Sequence, residues 1–268
     1  MGTSRGISTP SGGGWGPAKR EITAHIADPQ TVSPARIVSS VVSAMGGLGL
    51  GIKQGGGAPR PSVSGAGGGR SGGRTPAANA KQVGRTIAGL GGFASAVQER
   101  GLTDALQRLD LGDLEGRPAV EVVARVAERL ADELDGVDGE ILKTALSEAI
   151  LEAAQLEEEL GFTDLEAALQ TFLNEQGLSG LVELFLARFV SNLVTGAILD
   201  HLDHKTDSEA QTEVLLSGIE IVCRDKARDV IERYRTDGRF NRVDWFGAAG
   251  KRLGREVADS ITAELLAV

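Results

Sequence analysis

Aromatic residues and cysteine are the two classes of side chain that this sequence nearly lacks. Aromatic residues make up 4% of its 268 residues, although 41% are hydrophobic. A core must therefore be built mainly from Leu, Val, Ile and Ala, which pack well on the apolar faces of helices. The single cysteine, Cys223, excludes an internal disulfide framework and favours a reducing, cytoplasmic compartment.

Runs of alternating polar and apolar residues, which would predict β-strands, are also missing. From about residue 81 onward, apolar residues recur at helical spacing instead, and one such segment closes at Gly101 as a helix C-terminus would. A capping-box pattern starts another helix at Thr163, with Glu166 three residues later. We therefore predict an all-α domain, a helical bundle, over residues 81–268.

The first third of the chain has few side chains that could form a core. Of the 37 glycines, 23 fall within the first 92 residues. This composition predicts a flexible tail at 1–34, a short helix at 35–52 next to Pro34, and a Gly/Ser/Pro-rich linker at 53–80. The predicted architecture is a helical bundle with a disordered Gly-rich N-terminal tail and linker.

Acidic residues are scarce in the first part of the chain and abundant in the rest. Residues 1–86 hold ten Lys/Arg and two Asp/Glu, a net charge of +8, whereas residues 87–268 carry −17. Because the acidic part would repel a phosphate backbone, we do not expect it to bind nucleic acid. Two parts of opposite charge either attract each other or bind different partners.

No stretch has the length and the lack of charge that are typical of a transmembrane span. A span needs about 20 apolar residues, and the nearest candidate, 178–199, contains Glu183, Arg188 and Asn192. We interpret this stretch as the central helix of a soluble bundle. The opening residues also lack the apolar segment of a secretory signal, so we expect no membrane association.

The motifs of common enzyme classes are incomplete. A phosphate-binding loop needs Gly-Lys-Ser/Thr at its end, but in the stretch 46–53 Ile52 intervenes before Lys53, and Gln54 replaces the hydroxyl. Cys223 has no histidine tied to it by a motif, so a buried thiol is the default interpretation. We expect no cofactor and no enzymatic activity.

The strongest metal candidate is a pair of histidines. His201 and His204 lie three residues apart in a predicted helix, a spacing that can chelate a transition metal together with carboxylates. A further ligand is not evident, and histidines also suit the C-terminal end of a helix. We favour the polar helix end over a metal-dependent enzyme that uses this pair.

Aromatic residues concentrate in one loop, 239–247. Trp245 lies there with Arg239 and Arg242, and Trp and Arg side chains dominate interaction hot spots. The alternative is that the aromatic residues close the end of the bundle. For Trp245 both interpretations stay open, whereas for Phe240 and Phe246 we expect a place in the core.

The opening stretch MGTSRGISTPSGGGWGPAKRE sets one tryptophan among glycines. Removal of Met1 would expose Gly2, but the myristoylation pattern fails because Gly6 stands where Ser or Thr is required. A flexible chain of this kind can enter a partner's pocket, with Trp15 as its anchor.

With MGTS at its start, a Gly/Pro-rich stretch that contains a Trp, and a helical body, the chain resembles the B component of the Qat bacterial antiphage-defence system. The resemblance implies three partner proteins: an ATPase, a deazaguanine-synthesis-like (QueC-like) enzyme and a TatD-like nuclease. It also implies that the QueC-like enzyme attaches a deazaguanine base to Gly2, with Thr3 and Ser4 as its recognition context.

We therefore favour two hypotheses of function over a metal-dependent enzyme that uses His201 and His204. The first is a non-enzymatic component of a defence complex whose N-terminal glycine is modified by a partner enzyme. The alternative is a helical scaffold or adaptor of another multi-protein complex, which would form a homo-oligomer such as a helical dimer and keep an unmodified tail.

Overall fold

Helices make up all the regular secondary structure in the part of the chain that the computed structural model describes, which is residues 14–47, 80–131, 137–155, 161–205, 208–240 and 243–267. These ranges contain nine α-helices and one short 3₁₀ turn, and no β-strand. In chain order the helices are α1 (Trp15–Ala27), α2 (Pro34–Ala44), α3 (Ala80–Arg100), α4 (Leu102–Arg108), α5 (Ala119–Leu130), α6 (Val137–Ala154), α7 (Phe162–Asp203), α8 (Glu209–Thr236) and α9 (Ala248–Leu266). The all-α prediction is confirmed.

Helix α7 forms the centre of the bundle. Gly177, with a φ of 68°, divides it into two segments, and this left-handed conformation favours glycine. Helices α6 and α8 run antiparallel along the second segment, in which Phe185, Val190 and Ile198 are fully buried. Among the described helices, α7 is the one long and apolar enough to cross a membrane, but 67% of its most apolar stretch is buried inside the protein. That is the position of a core helix.

Helices α3 and α9 cross at two glycines. Gly84 and Gly254 lie against each other, and a Cβ added to Gly84 would stand 2.8 Å from the backbone nitrogen of Arg255. A Cβ added to Gly254 would overlap the carbonyl oxygen of Gly84. The two helices therefore approach to backbone contact, which requires glycine at both positions.

Helix α1 corrects the predicted N-terminal tail. The flexible tail predicted for residues 1–34 is wrong from Trp15 onward, because α1 begins there. Trp15, Ala18 and Ile22 recur at i, i+3 and i+7, which puts them on one helix face, and all three are buried in the core. Residues 1–13 lie outside the described part of the chain.

Helix α2 is shorter than the helix predicted at 35–52. It begins at Pro34, behind a cap in which the Ser33 hydroxyl accepts a hydrogen bond from the Arg36 backbone nitrogen. It ends just before Gly46 and Gly47, which both have positive φ. The predicted linker at 53–80 lies outside the described residues except for its last residue.

Helix α7 does not begin with the predicted capping box. Its first turn is capped by Asp164, whose carboxylate accepts a hydrogen bond of 3.0 Å from the Gly161 backbone nitrogen. Glu166 instead reaches another helix, where it accepts a hydrogen bond of 2.8 Å from the backbone nitrogen of Leu102, the first residue of α4. The local pattern identified the helix correctly but misassigned the partner of Glu166.

Replacing Gly254 with alanine tests the backbone contact between α3 and α9. We expect Gly254→Ala to lower the free energy of unfolding by about 1–3 kcal/mol, because the added methyl group pushes the helices apart. The matched control is Gly16→Ala on α1, where an added Cβ meets nothing within 4 Å. This control should raise stability by about 0.5 kcal/mol. Denaturant unfolding measures both, and equal stability of the two variants would contradict the close crossing.

Candidate functional site

Trp15 is an internal anchor of the protein. Its side chain is only 4% exposed and belongs to the main core. It is therefore not available as the exposed anchor for a partner that the sequence suggested. The other predicted recognition residues, Gly2, Thr3 and Ser4, lie outside the described residues.

Polar contacts hold the helix that follows Trp15 in place. The Glu21 carboxylate accepts hydrogen bonds from Arg36 (2.9 Å) and from the Ser40 hydroxyl, which join α1 to α2. The Thr23 hydroxyl lies 3.3 Å from Nε2 of His201 on α7. The chain therefore enters the described structure at a defined point on the surface of the bundle.

The two candidate metal ligands are engaged in separate contacts. His201 faces Thr23, and burial lowers the pKa of its imidazole. Nδ1 of His204 donates a hydrogen bond of 2.7 Å to the Asp200 carbonyl of the same helix. Within the described ranges, no three His, Cys, Asp or Glu side chains are arranged to share a metal ion. The arrangement fits the polar helix end that the sequence favoured.

Trp245 closes the bundle from the inside. It is 4% exposed, its ring covers Gly91 of α3, and it stacks on Phe240 at a centroid distance of 5.7 Å. A side chain at Gly91 would collide with the indole, so this glycine makes room for the tryptophan. Of the two interpretations left open for Trp245, the structure supports the core.

The exposed aromatic residue of this loop is Phe246, which we had expected in the core. Its side chain is 45% exposed and lies over Gly92, with the Arg108 guanidinium 5.9 Å from its ring centroid. Arg239 binds the Glu256 carboxylate and stands over the Tyr234 ring. Arg242 lies outside the described residues.

Cys223 is buried in the contact between α8 and the core. Its thiol is fully shielded from solvent, and burial raises the pKa of the thiol to about 12. A nucleophilic cysteine needs a lowered pKa and access to substrate. Cys223 has neither of these properties and is a core residue.

A polar network joins α6, α7 and α8. The Glu152 carboxylate accepts hydrogen bonds from Nε and Nη2 of Arg188 (2.9 and 2.7 Å) and from Arg224 (2.9 Å). Glu220 accepts a further one from Arg188 at 2.8 Å. Burial alone would lower the pKa of Arg188, but the hydrogen bond and charge of Glu152 and its acidic neighbours outweigh this and raise it. The four side chains neutralise one another.

Beside this network an open groove runs between α7 and α8, with α6 at its edge. Its volume is ≈ 640 Å³, and small polar side chains such as Ser191 and Thr195 line its α7 side. Three carboxylates, those of Glu148, Glu209 and Glu213, also line it, and no Lys or Arg of the described residues forms an ion pair with them. We call this feature the acidic groove.

Polar residues within the apolar stretch 178–199 are a sequence signal for this groove as well as evidence against a membrane span. Glu183, Arg188 and Asn192 interrupt an otherwise apolar helix. Each of them has a partner: Arg228 for Glu183, Glu152 for Arg188, and Glu148 for Asn192 at 2.9 Å. Polar residues inside an apolar helix mark the places where other helices must supply charge.

A comparison with protein families identifies the family of this chain. A family model described as Qat anti-phage system associated protein QatB matches residues 71–242, which is more than half of the chain. The chain belongs to the QatB family. No curated protein and no solved structure gives a significant match.

The QatB match covers the helical body and not the opening residues on which the resemblance rested. It includes the network around Glu152, the acidic groove and all of α8, and it stops just before Trp245. Membership of the QatB family associates the protein with an antiphage-defence system and with the other proteins of that system.

Replacing Glu152 tests whether the polar network stabilises the QatB-family body. We expect Glu152→Gln to lower the free energy of unfolding by about 1–3 kcal/mol, because two arginines lose their carboxylate. Glu128→Gln is the control, since among the described residues Glu128 forms an ion pair with Arg125 alone and both side chains are half-exposed. It should cost no more than about 0.5 kcal/mol. Thermal or urea unfolding of both variants measures this, and equal losses would refute a special role for the network.

The shielded thiol predicts slow alkylation of the native QatB-family protein. A rise in pKa from 9.0 to about 12 lowers the thiolate fraction at neutral pH about 1000-fold, and burial also blocks the reagent. Iodoacetamide should therefore label Cys223 at least about 100-fold more slowly in native buffer than in 6 M urea. Comparable labelling rates, measured by mass spectrometry, would show that the thiol is accessible.

Proposed function

We propose that this protein is a non-enzymatic, cytoplasmic component of a Qat antiphage complex, and that its N-terminal residues are the substrate of a partner. In this proposal a QueC-like enzyme recognises Gly2, Thr3 and Ser4 and joins a deazaguanine base to the Gly2 amine. An ATPase and a TatD-like nuclease complete the set of partners. Family membership supports the association with the system.

The observation that carries the proposal is the fixed entry of the chain at Trp15. The buried indole and the contacts of α1 with α2 and α7 hold residue 15 on the bundle. The 13 residues before Gly14 would span at most about 45 Å if fully extended. Gly2 therefore starts within reach of an enzyme that docks on the same body.

The chemistry of the described residues supports a substrate role over an enzymatic one. The thiol of Cys223 is buried, and the imidazole Nδ1 of His204 is hydrogen-bonded to its own helix. The polar side chains with the most contacts, Glu152 and Arg188, neutralise each other in a structural network. A partner's active site would supply the catalysis.

Co-expression with the QueC-like enzyme tests the proposal. We expect the intact mass to increase by one deazaguanine-type group, and peptide sequencing to place it on Gly2. Gly2→Pro should abolish the mass increase, because it replaces the primary amine with a constrained secondary amine. Gly6→Pro is the matched control and should keep the modification.

An unmodified Gly2 beside an active QueC-like enzyme would contradict this proposal. The protein would then be a helical adaptor whose opening residues serve as a linker and not as an enzyme substrate. Modification of Gly6→Pro and Gly2→Pro to the same extent would place the reaction at another residue and would equally rule out Gly2.

A further inference from the structure

The outer side of α8 carries the two most exposed large hydrophobic side chains among the described residues. Val214 is 59% exposed and Ile221 is 58% exposed. They lie seven residues apart, two helical turns, with exposed Ser217 between them, so they project from the same side of the helix. We call this line of side chains the α8 ridge.

The acidic groove lies along one side of the α8 ridge. Ser217 and Glu220 belong both to this groove and to a smaller hollow of ≈ 260 Å³ that also contains Ile221. The surface is thus continuous from the carboxylates of Glu209 and Glu213, which form no ion pair with another described residue, to the exposed side chain of Ile221. It combines apolar side chains such as Leu216 and Ile221 with carboxylates, and its two arginines, Arg188 and Arg224, are paired with Glu152 and Glu220.

An apolar hollow of ≈ 190 Å³ lies on the other side of the ridge, where Val214 meets Ile26, Pro29 and His25. His25 is 96% buried, and its Nδ1 donates a hydrogen bond of 2.6 Å to the Val32 carbonyl oxygen. Nε2 has no hydrogen-bond partner among the described residues, and this atom is itself shielded from solvent. The hollow presents an almost wholly apolar surface to an occupant.

We propose that the α8 ridge, together with the acidic groove and the apolar hollow on its two sides, binds a basic amphipathic helix of another protein of the complex. This inference rests on the proposed function. Apolar side chains of that helix pack against Val214 and Ile221. Its Lys or Arg side chains pair with Glu209 and Glu213. A further apolar side chain of that helix enters the apolar hollow beside Val214.

Charge decides the kind of partner. Arg188, which also lines the groove, is paired with Glu152 and Glu220, whereas Glu209 and Glu213 have no ion pair among the described residues. A basic segment therefore gains favourable electrostatics there, whereas nucleic acid is repelled. A second copy of this chain would bring the same acidic face, and the nearby arginines, Arg188 and Arg224, are already paired with Glu152 and Glu220. A partner with free basic residues is therefore favoured over self-association.

The experiment is co-purification of the full-length protein with its companion proteins, through a tag on each companion in turn. Two variants test the ridge: Ile221→Asp, and the double change Glu209→Lys with Glu213→Lys. The matched controls are Val120→Asp, at a valine that is 50% exposed on α5, and the double change Asp113→Lys with Glu115→Lys. All four alter exposed side chains, so circular dichroism should show unchanged folding.

We expect both ridge variants to weaken binding of one companion at least tenfold, while the controls bind like the wild type. Affinity should fall with added salt for the wild type and much less for the double lysine variant. A zero-length carbodiimide cross-link should join Glu209 or Glu213 to a lysine of that companion.

Four results would overturn the inference. If the wild type binds a companion and the ridge variants bind equally well, the inference is wrong and the proposed function stands. If the wild type is a dimer that Ile221→Asp dissociates, a second copy of this chain occupies the ridge. If the cross-link joins a lysine of the same chain, a segment of this chain occupies it. A wild type that binds no companion would overturn the proposed function together with the inference.

Discussion

The second segment of α7 must be covered on nearly every side, and this requirement organises the rest of the structure. Helices α6 and α8 bury its apolar residues, but its polar residues also enter the contact. Arg188 and Asn192 need partners there, and Glu152, Glu220 and Glu148 supply them. Two of these carboxylates, Glu148 and Glu220, also line the acidic groove. The surface that we propose for docking therefore follows from the polar partners that the core helix requires.

Glycine allows close packing at two positions of α3. In α3 it brings helices together: Gly84 meets the backbone of α9, and Gly91 accepts the indole of Trp245. The few large aromatic residues therefore pack where a helix has no side chain. The two tryptophans, Trp15 and Trp245, are both nearly inaccessible to solvent, which leaves Phe246 as the exposed aromatic residue of the described chain.

The body and the opening residues carry separate parts of the proposed function. The QatB match lies in the body, where the groove and the α8 ridge offer a surface for partners. The opening residues provide a chemical group, the Gly2 amine, attached at a fixed point by Trp15. Binding at the ridge would hold a partner close to this group and raise its effective concentration at the partner's active site.

Sequence spacing alone determined the helical class, the buried character of 178–199 and the end of α3 at Gly101, because these depend on neighbours within a few residues. It also contained the i, i+3, i+7 pattern of Trp15, Ala18 and Ile22, which the surrounding glycines obscured. Tertiary structure alone decided that Glu166 serves α4, that Trp245 covers Gly91, and that the carboxylates of Glu148, Glu209 and Glu213 share one groove. Local spacing sets which side chains share a helix face, whereas the crossing geometry of the packed helices sets which faces meet.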